Sequence, residues 1–146
     1  MDAASLDRYL DAWVQHRVAG TAEGRAELAA LQALCSPEVH YEDVPSGATF
    51  SGHRGIKEMC ELAARWSSDL EFTVHTRQSD GTMFAFETAT SGTHTSTFGP
   101  LTATGRSFTL RGVSVGRVDA DGLVVEHRDY WDLGSFLGQV GALSLG

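Results

Sequence analysis

The sequence holds two cysteines, three prolines and few basic residues in 146 positions. Each scarcity closes off a class of protein. Cys35 and Cys60 form no C-x-x-C pair and sit in helix-like patterns, so they read as two buried, reduced thiols. Lys+Arg number 11 against 19 Asp+Glu, a formal net charge of −8. Nucleic acid is therefore not an expected partner, because its phosphates need a basic patch, and neither is an anionic membrane surface. No apolar run approaches the roughly 20 residues of a membrane span. The opening Met-Asp-Ala-Ala-Ser-Leu-Asp-Arg lacks a basic segment followed by an apolar one. The expected location is cytoplasmic. No H-x-x-x-H, Cys/His cluster, G-x-S-x-G or phosphate-binding glycine loop occurs, so neither a metal nor a cofactor is expected.

What is present suits one soluble domain, residues 1–146, with 42% apolar residues. A chain of this length buries roughly 70% of the surface its unfolded form exposes, and needs no staple. Leu6, Tyr9, Leu10, Trp13 and Val14 recur at helical spacing and predict a helix over residues 2–18, capped by Ser5 or Asp2. A Gly20–Gly24 loop separates it from a second helix, about 25–35, which Ser36-Pro37 should stop. A short strand over 39–44 and a Pro45-Ser46-Gly47 turn precede a third helix, about 54–66. From Leu70 the period changes to two. Strands are predicted over 70–78, 82–95, 106–118 and 123–132, with a hairpin turn at Ser79-Asp80-Gly81. Gly112 and Gly116 read as bends or bulges, and a short helix over 133–140 closes the chain. Helices followed by hairpin-linked strands give an α+β fold with an antiparallel sheet, helices on one of its faces, and a pocket between.

The richest stretch is Leu123–Asp132, apolar at its start and polar at its end. Strand alternation puts Val125, His127, Asp129 and Trp131 on one face, and Glu126, Arg128, Tyr130 and Asp132 on the other. A His, an Asp and a Trp in one row suit a pocket wall better than a plain core.

Tyr41-Glu42-Asp43-Val44-Pro45 and Gly52-His53-Arg54-Gly55-Ile56, with the helix order, resemble the nuclear-transport-factor-2-like (NTF2-like) superfamily. That resemblance implies a cone: a curved antiparallel sheet with the N-terminal helices over its concave face. Gly92-Thr93-His94-Thr95, Phe98-Gly99-Pro100, Thr104-Gly105-Arg106, Gly122–His127 and the ending from Asp132 to Gly141 resemble the SnoaL-like polyketide cyclase branch. Its characterised members imply cofactor-free acid–base chemistry with an aspartate as base. A second resemblance is to limonene-epoxide hydrolases, whose last strand is similar to Arg128-Asp129-Tyr130-Trp131-Asp132. In that family a Tyr, an Asn and the last-strand Asp hold a water. Tyr41, Asp43 and Asp129 match them, with Asp43 replacing Asn. The Arg-x-Asp pair that family uses on a middle strand is missing, its place taken by Glu87-Thr88-Ala89-Thr90.

Asp129 is accordingly the expected general base, its pKa raised by burial; the competing reading is an ion pair with Arg128 or another arginine. His127 would orient it, act as its acid/base partner, or simply bond to backbone. A hydrogen bond between residues i and i+2 of a strand is possible but strained, their Cα atoms lying about 6.5 Å apart. Tyr41 and Asp43, on one face of their strand, would bind a substrate oxygen or fix a water, and Asp43 beside Asp129 would split the two pKa values. Asp132 reads as the cap of the last helix. By family analogy His94 would touch substrate, and Trp13, Phe86, Trp131 and Trp66 would line the pocket, although helical aromatics are more often core.

The expected function is that of a cofactor-independent cyclase or isomerase acting on a small, apolar, oxygen-bearing molecule such as a polyketide or terpenoid. Epoxide opening and non-catalytic ligand binding are the alternatives. A homodimer through the open sheet face is expected.

Overall fold

The computed structural model describes residues 1–14, 22–67, 69–97 and 99–143, with the backbone alone at 22–25 and 64–66. The first helix beyond Val14, Gly20 and Thr21 of the expected loop, Phe98 and the Trp66 side chain therefore lie outside the described residues. The elements run α1 (Ala3–Val14), α2 (Ala22–Ala33), β1 (Cys35–Asp43), β2 (Ala48–Ser51), α3 (Gly52–Trp66), β3 (Glu71–Ser79), β4 (Met83–Thr93), β5 (Ser107–Val118), β6 (Val124–Trp131) and α4 (Leu133–Gln139). The strands form one sheet in the order β2-β1-β6-β5-β4-β3. No helix among the described residues is long and apolar enough to cross a membrane.

Local chemistry accounts for most boundaries. The Asp2 carboxylate accepts the Ser5 amide at 2.8 Å and so opens α1, while Leu6, Tyr9, Leu10 and Trp13 bury its inward stripe. Asp80 accepts the amides of Thr82 and Met83, and Gly81, at φ 96°, takes the left-handed position that turns β3 into β4. α1, α2 and α3 pack with the strands in one core that holds Tyr9, Trp13, Tyr41, Phe84 and Phe86. A second cluster, Leu70, Phe108, Leu110, Phe136 and Val140, forms under α4.

The structure corrects four expectations. The sheet is mixed: β1 pairs with β6 in parallel, and the other pairings are antiparallel. Periodicity reports a strand but not its neighbour, so this was invisible in sequence. α2 is displaced towards the N-terminus: it opens at Ala22, inside the expected 20–24 loop, and stops at Ala33, so Cys35 opens β1 and does not end the helix. Pro37 sits inside β1; the β1–β6 register shifts between Cys35 and His40, and that irregularity accommodates a residue with no amide hydrogen. Finally, Ala48–Ser51 is a strand, too short to show a period, pairing back on β1 from Asp43↔Ala48 to His40↔Ser51.

Gly116 is required by close approach. A Cβ there would lie 2.2 Å from Phe84 Cζ and 2.5 Å from the Glu126 carbonyl oxygen. Gly112 is similar, with the Tyr130 carbonyl at 2.8 Å. Both lie opposite β6, Gly112 against Trp131 and Gly116 against His127.

Candidate active site

β6 presents His127, Asp129 and Trp131 on one face, as alternation predicts. Upstream the alternation slips: the β5–β6 register shifts between Arg117 and Val118, so Val124, not Val125, is the buried valine.

Asp129 is the centre of a buried network. Its Oδ1 accepts from His127 Nε2 at 2.7 Å and from Ser114 Oγ at 2.5 Å, and its Oδ2 accepts from the Tyr41 hydroxyl. Trp13 Nε1 donates to the Tyr41 oxygen at 2.9 Å. Behind this, His127 Nδ1 meets the Tyr9 hydroxyl at 2.6 Å. Because a carboxylate only accepts, His127 carries a hydrogen on Nε2. The i, i+2 bond between His127 and Asp129 thus exists at ordinary length. Asp129 has no ion pair with Arg128, whose partner is Glu126.

Burial pushes the Asp129 carboxyl up. The His127 imidazole and the bonds from His127, Ser114 and Tyr41 outweigh that, and the group lies below the ordinary carboxylate value. This reverses the expected rise, since three donors converge where the sequence suggested one. Asp43 behaves oppositely. Burial pushes it up against hydrogen bonds from Ser46 and Trp131, and the Asp129 charge adds to the rise. Asp43 and Asp129 are register partners on β1 and β6, so their Cα atoms stand about 4.8 Å apart with side chains on one face. Trp131 Nε1 donates to Asp43 Oδ1 at 2.6 Å and Ser46 Oγ to Asp43 Oδ2. Burial and the Asp129 charge hold the Tyr41 phenol well above its usual range.

These groups lie at a cavity of about 810 Å³. Its walls include Trp13, Phe50, Met59, Leu62, Leu70, Phe72, Leu110 and Trp131, and its polar lining includes Tyr41, Asp43, Ser114 and Asp129. A concave, mostly apolar space with a few convergent polar groups is the usual form of a small-molecule site. The middle strands contribute Thr88, Thr90, Gly112 and Ser114; Arg111, also at the lining, has a side chain 85% exposed that reaches Glu87 at 3.9 Å. Among the described residues no group of three His, Cys, Asp or Glu could hold a metal ion.

Several expected residues fall elsewhere. His94 is 1% exposed and away from the cavity; its Nδ1 accepts the Thr104 amide at 3.2 Å and its ring packs edge-on to Phe136. These contacts fasten the turn after β4. Phe86 is core, packed against Trp13 and His127. His127 is wholly buried behind Asp129, and both of its ring nitrogens are bonded within the protein, to Asp129 and to Tyr9. Trp13 and Trp131 do line the cavity. Asp132 caps α4, its Oδ1 accepting the Ser135 amide at 2.8 Å. The two thiols are free and buried, and burial pushes each up to about 12.

Tyr9 and Ser114 were not foreseen. Tyr9 reads in sequence as one more apolar-stripe residue. Ser114 sits in a strand with nothing to single it out beyond alternation with Gly112 and Gly116. Only the β5–β6 register, Ser114↔Asp129, reveals it.

A family model described as a SnoaL-like domain matches residues 6–127. The match reaches His127 and stops short of Asp129 and Trp131. No curated protein matches the chain. Among solved structures, TsrD from Streptomyces laurentii superposes with TM-score 0.80 at 22% identity, covering 98% of this chain and 99% of that one. IdmH from Streptomyces antibioticus, a candidate polyketide cyclase, gives 0.72 at 21% identity, covering 94% and 98%. AclR from Streptomyces galilaeus, a candidate hydroxylase, gives 0.71 at 21%, covering 97% and 85%. At such identities the structures establish the fold, and the match over residues 6–127 establishes the family: this chain belongs to the SnoaL-like domain family, on an NTF2-like fold.

Proposed function

We propose that this protein is a cofactor-independent acid–base enzyme of the cyclase or isomerase type, acting on a small, apolar, oxygen-bearing molecule. The observation that carries this reading is the setting of Asp129. Each carboxylate oxygen offers two lone pairs. Both on Oδ1 are taken, by His127 and Ser114, whereas among the described residues Oδ2 has one partner, Tyr41. The side chain keeps 19% exposure at the cavity. Held ionised and rigid with one open lone pair, the carboxylate is placed to remove a proton; the three hydrogen bonds that lower its pKa weaken it as a base, and its fixed position is what favours the transfer. Asp43 faces the substrate as a hydrogen-bond acceptor: it takes the hydrogen of a substrate hydroxyl or ammonium, receives that proton as the heteroatom loses electron density and returns it at the end of the cycle. Burial and the Asp129 charge, which push the Asp43 carboxyl up, suit it to that relay. The apolar walls exclude water and strengthen both interactions.

A base can be tested without knowing the substrate. 5-Nitrobenzisoxazole opens to a coloured phenolate when one positioned carboxylate removes its ring proton. The wild type should turn it over, and Asp129→Asn should lose about 100-fold or more. Equal rates, or no turnover by the wild type, would sink the base assignment and favour a binding protein.

Epoxide opening is the second reading, favoured by Tyr41, Asp43 and Asp129 meeting at one cavity. Its weakness is that Tyr41 donates directly to Asp129, with Thr88 and Thr90 where an oxygen-protonating pair would stand. Diol formation from styrene oxide, dependent on Asp129, would promote it over the first reading.

We also propose a homodimer through the outer sheet face. Val113 and Tyr130 are register partners there, 41% and 44% exposed, alternating with the cavity-facing Ser114 and Asp129. Light scattering should give twice the chain mass, and Tyr130→Glu should halve it.

A further inference from the structure

The hydrogen-bond inventory around the two carboxylates limits what can dock there. Among the described residues, the side-chain hydrogens placed at Asp43, Asp129 and Tyr41 are already directed at protein atoms. Trp131 Nε1–H and the Ser46 hydroxyl serve Asp43. The Tyr41 and Ser114 hydroxyls and His127 Nε2–H serve Asp129, and Trp13 Nε1–H serves Tyr41. What stays open is acceptor capacity: one lone pair on Asp129 Oδ2 and one on each oxygen of Asp43. No lysine or arginine among the described residues pairs with either carboxylate.

We infer that the ligand presents a hydrogen-bond donor, a hydroxyl or an ammonium, to the Asp43–Asp129 pair, and that a carbonyl or carboxylate is rejected at this end. A bare acceptor oxygen placed there meets only lone pairs, and its own desolvation goes uncompensated. A carboxylate would add a third negative charge beside two. A donor head satisfies one or two of the open lone pairs, and a hydrogen bond to a charged acceptor is among the stronger kind. The Thr88 and Thr90 hydroxyls further along the lining can donate or accept, so they do not discriminate. This inference rests on Asp43 and Asp129 forming the working end of the cavity, as proposed above. It narrows the substrate to one whose reacting oxygen or nitrogen arrives carrying its hydrogen.

The test uses four probes of one shape, followed by calorimetry on the full chain at neutral pH: 1-naphthalenemethanol, 1-naphthylmethylamine, 1-naphthaldehyde and 1-naphthoate. The alcohol, the amine or both should bind about tenfold or more tighter than the aldehyde and the carboxylate, as one hydrogen bond to a charged group implies. Amine over alcohol names the head as ammonium, and the reverse names it as hydroxyl. Asp43→Asn turns one acceptor into a donor and should narrow the gap by raising aldehyde affinity. Aldehyde or carboxylate binding as tightly as the alcohol and the amine, or no probe binding at all, overturns the inference. Binding needs no turnover. A protein that prefers donors yet fails the benzisoxazole assay refutes only the catalytic reading, and one that passes that assay without the preference refutes only this one.

Discussion

Tyr41 and His127 stack face to face, their ring centroids 4.3 Å apart and their planes within 13°. They are register partners across the parallel β1–β6 pairing, which sets their side chains at one height on one face. From that stack they grip the same carboxylate by different oxygens, Tyr41 on Oδ2 and His127 on Oδ1 of Asp129. The stack is why an i, i+2 bond along β6 is made: the imidazole is held in place by its neighbour as well as by its own strand.

Tyr41→Phe keeps the stack and removes the hydroxyl. Trp13 Nε1 loses its acceptor and Asp129 Oδ2 its donor. Urea denaturation should show a loss of about 1–3 kcal/mol. In the benzisoxazole assay the acid limb should move to higher pH, because a bond that holds Asp129 down is gone. An unchanged limb would mean that Tyr41 does not set the base.

The two carboxylates should act on stability with opposite signs. Asp129 is lowered by folding, so its stabilisation is complete above the unfolded value of about 3.9 and fades as pH falls through its lower folded value. The stability gap between wild type and Asp129→Asn should therefore be widest near neutral pH and shrink on acidification below about 3.9. Asp43 is raised, so its contribution is present below the unfolded value and is lost as pH rises through the folded one. Asp43→Asn should gain relative to wild type as pH rises through that range. Urea midpoints across an acidic pH series check both, and parallel curves would refute the assigned directions.

Gly116→Ala should destabilise by about 1–3 kcal/mol, as overpacking does. The Phe84 ring can turn away, but the Glu126 carbonyl at 2.5 Å is backbone and can only move with β6. Since Phe84 packs edge-on against His127 at 5.9 Å, Asp129 should be disturbed as well. A thermal melt at wild-type temperature would show that the contact relaxes freely.

Asp132→Ala removes the cap of a helix only 7 residues long. A loss of about 1 kcal/mol is expected. The benzisoxazole rate should stay near wild type, which separates this aspartate from Asp129 three positions earlier.

Sequence periodicity made the last strand legible as a surface. Alternation selected His127, Asp129 and Trp131, and chemistry at a helix start assigned Asp132. The partners of that surface were not legible. Tyr9 and Ser114 reach the site through pairings that local pattern does not encode, and Cys35–Val39 carries no period of two because a bulge interrupts it. His94 looked like a pocket residue because its strand borders the cavity. Which way a side chain turns at a strand end depends on the loop that follows, here the Thr104 amide. The direction of the Asp129 shift was missed for the same reason, since desolvation can be guessed from one strand but counting donors requires three.

The β1–β6 pairing also bears on how the site comes into being. Tyr41 and Asp129 are 88 residues apart, and Tyr9 and His127 are 118 apart. Contacts of that separation form only after long loops have closed, which makes them slow steps of folding. During synthesis the segment bearing Tyr9, Trp13 and Tyr41 emerges well before β6 and must wait for the carboxylate that its hydrogens will meet. The carboxylate end of the cavity is therefore assembled with the last strand, and a chain truncated before β6 would lack Asp129, His127 and the central strand that joins β1 to the rest of the sheet.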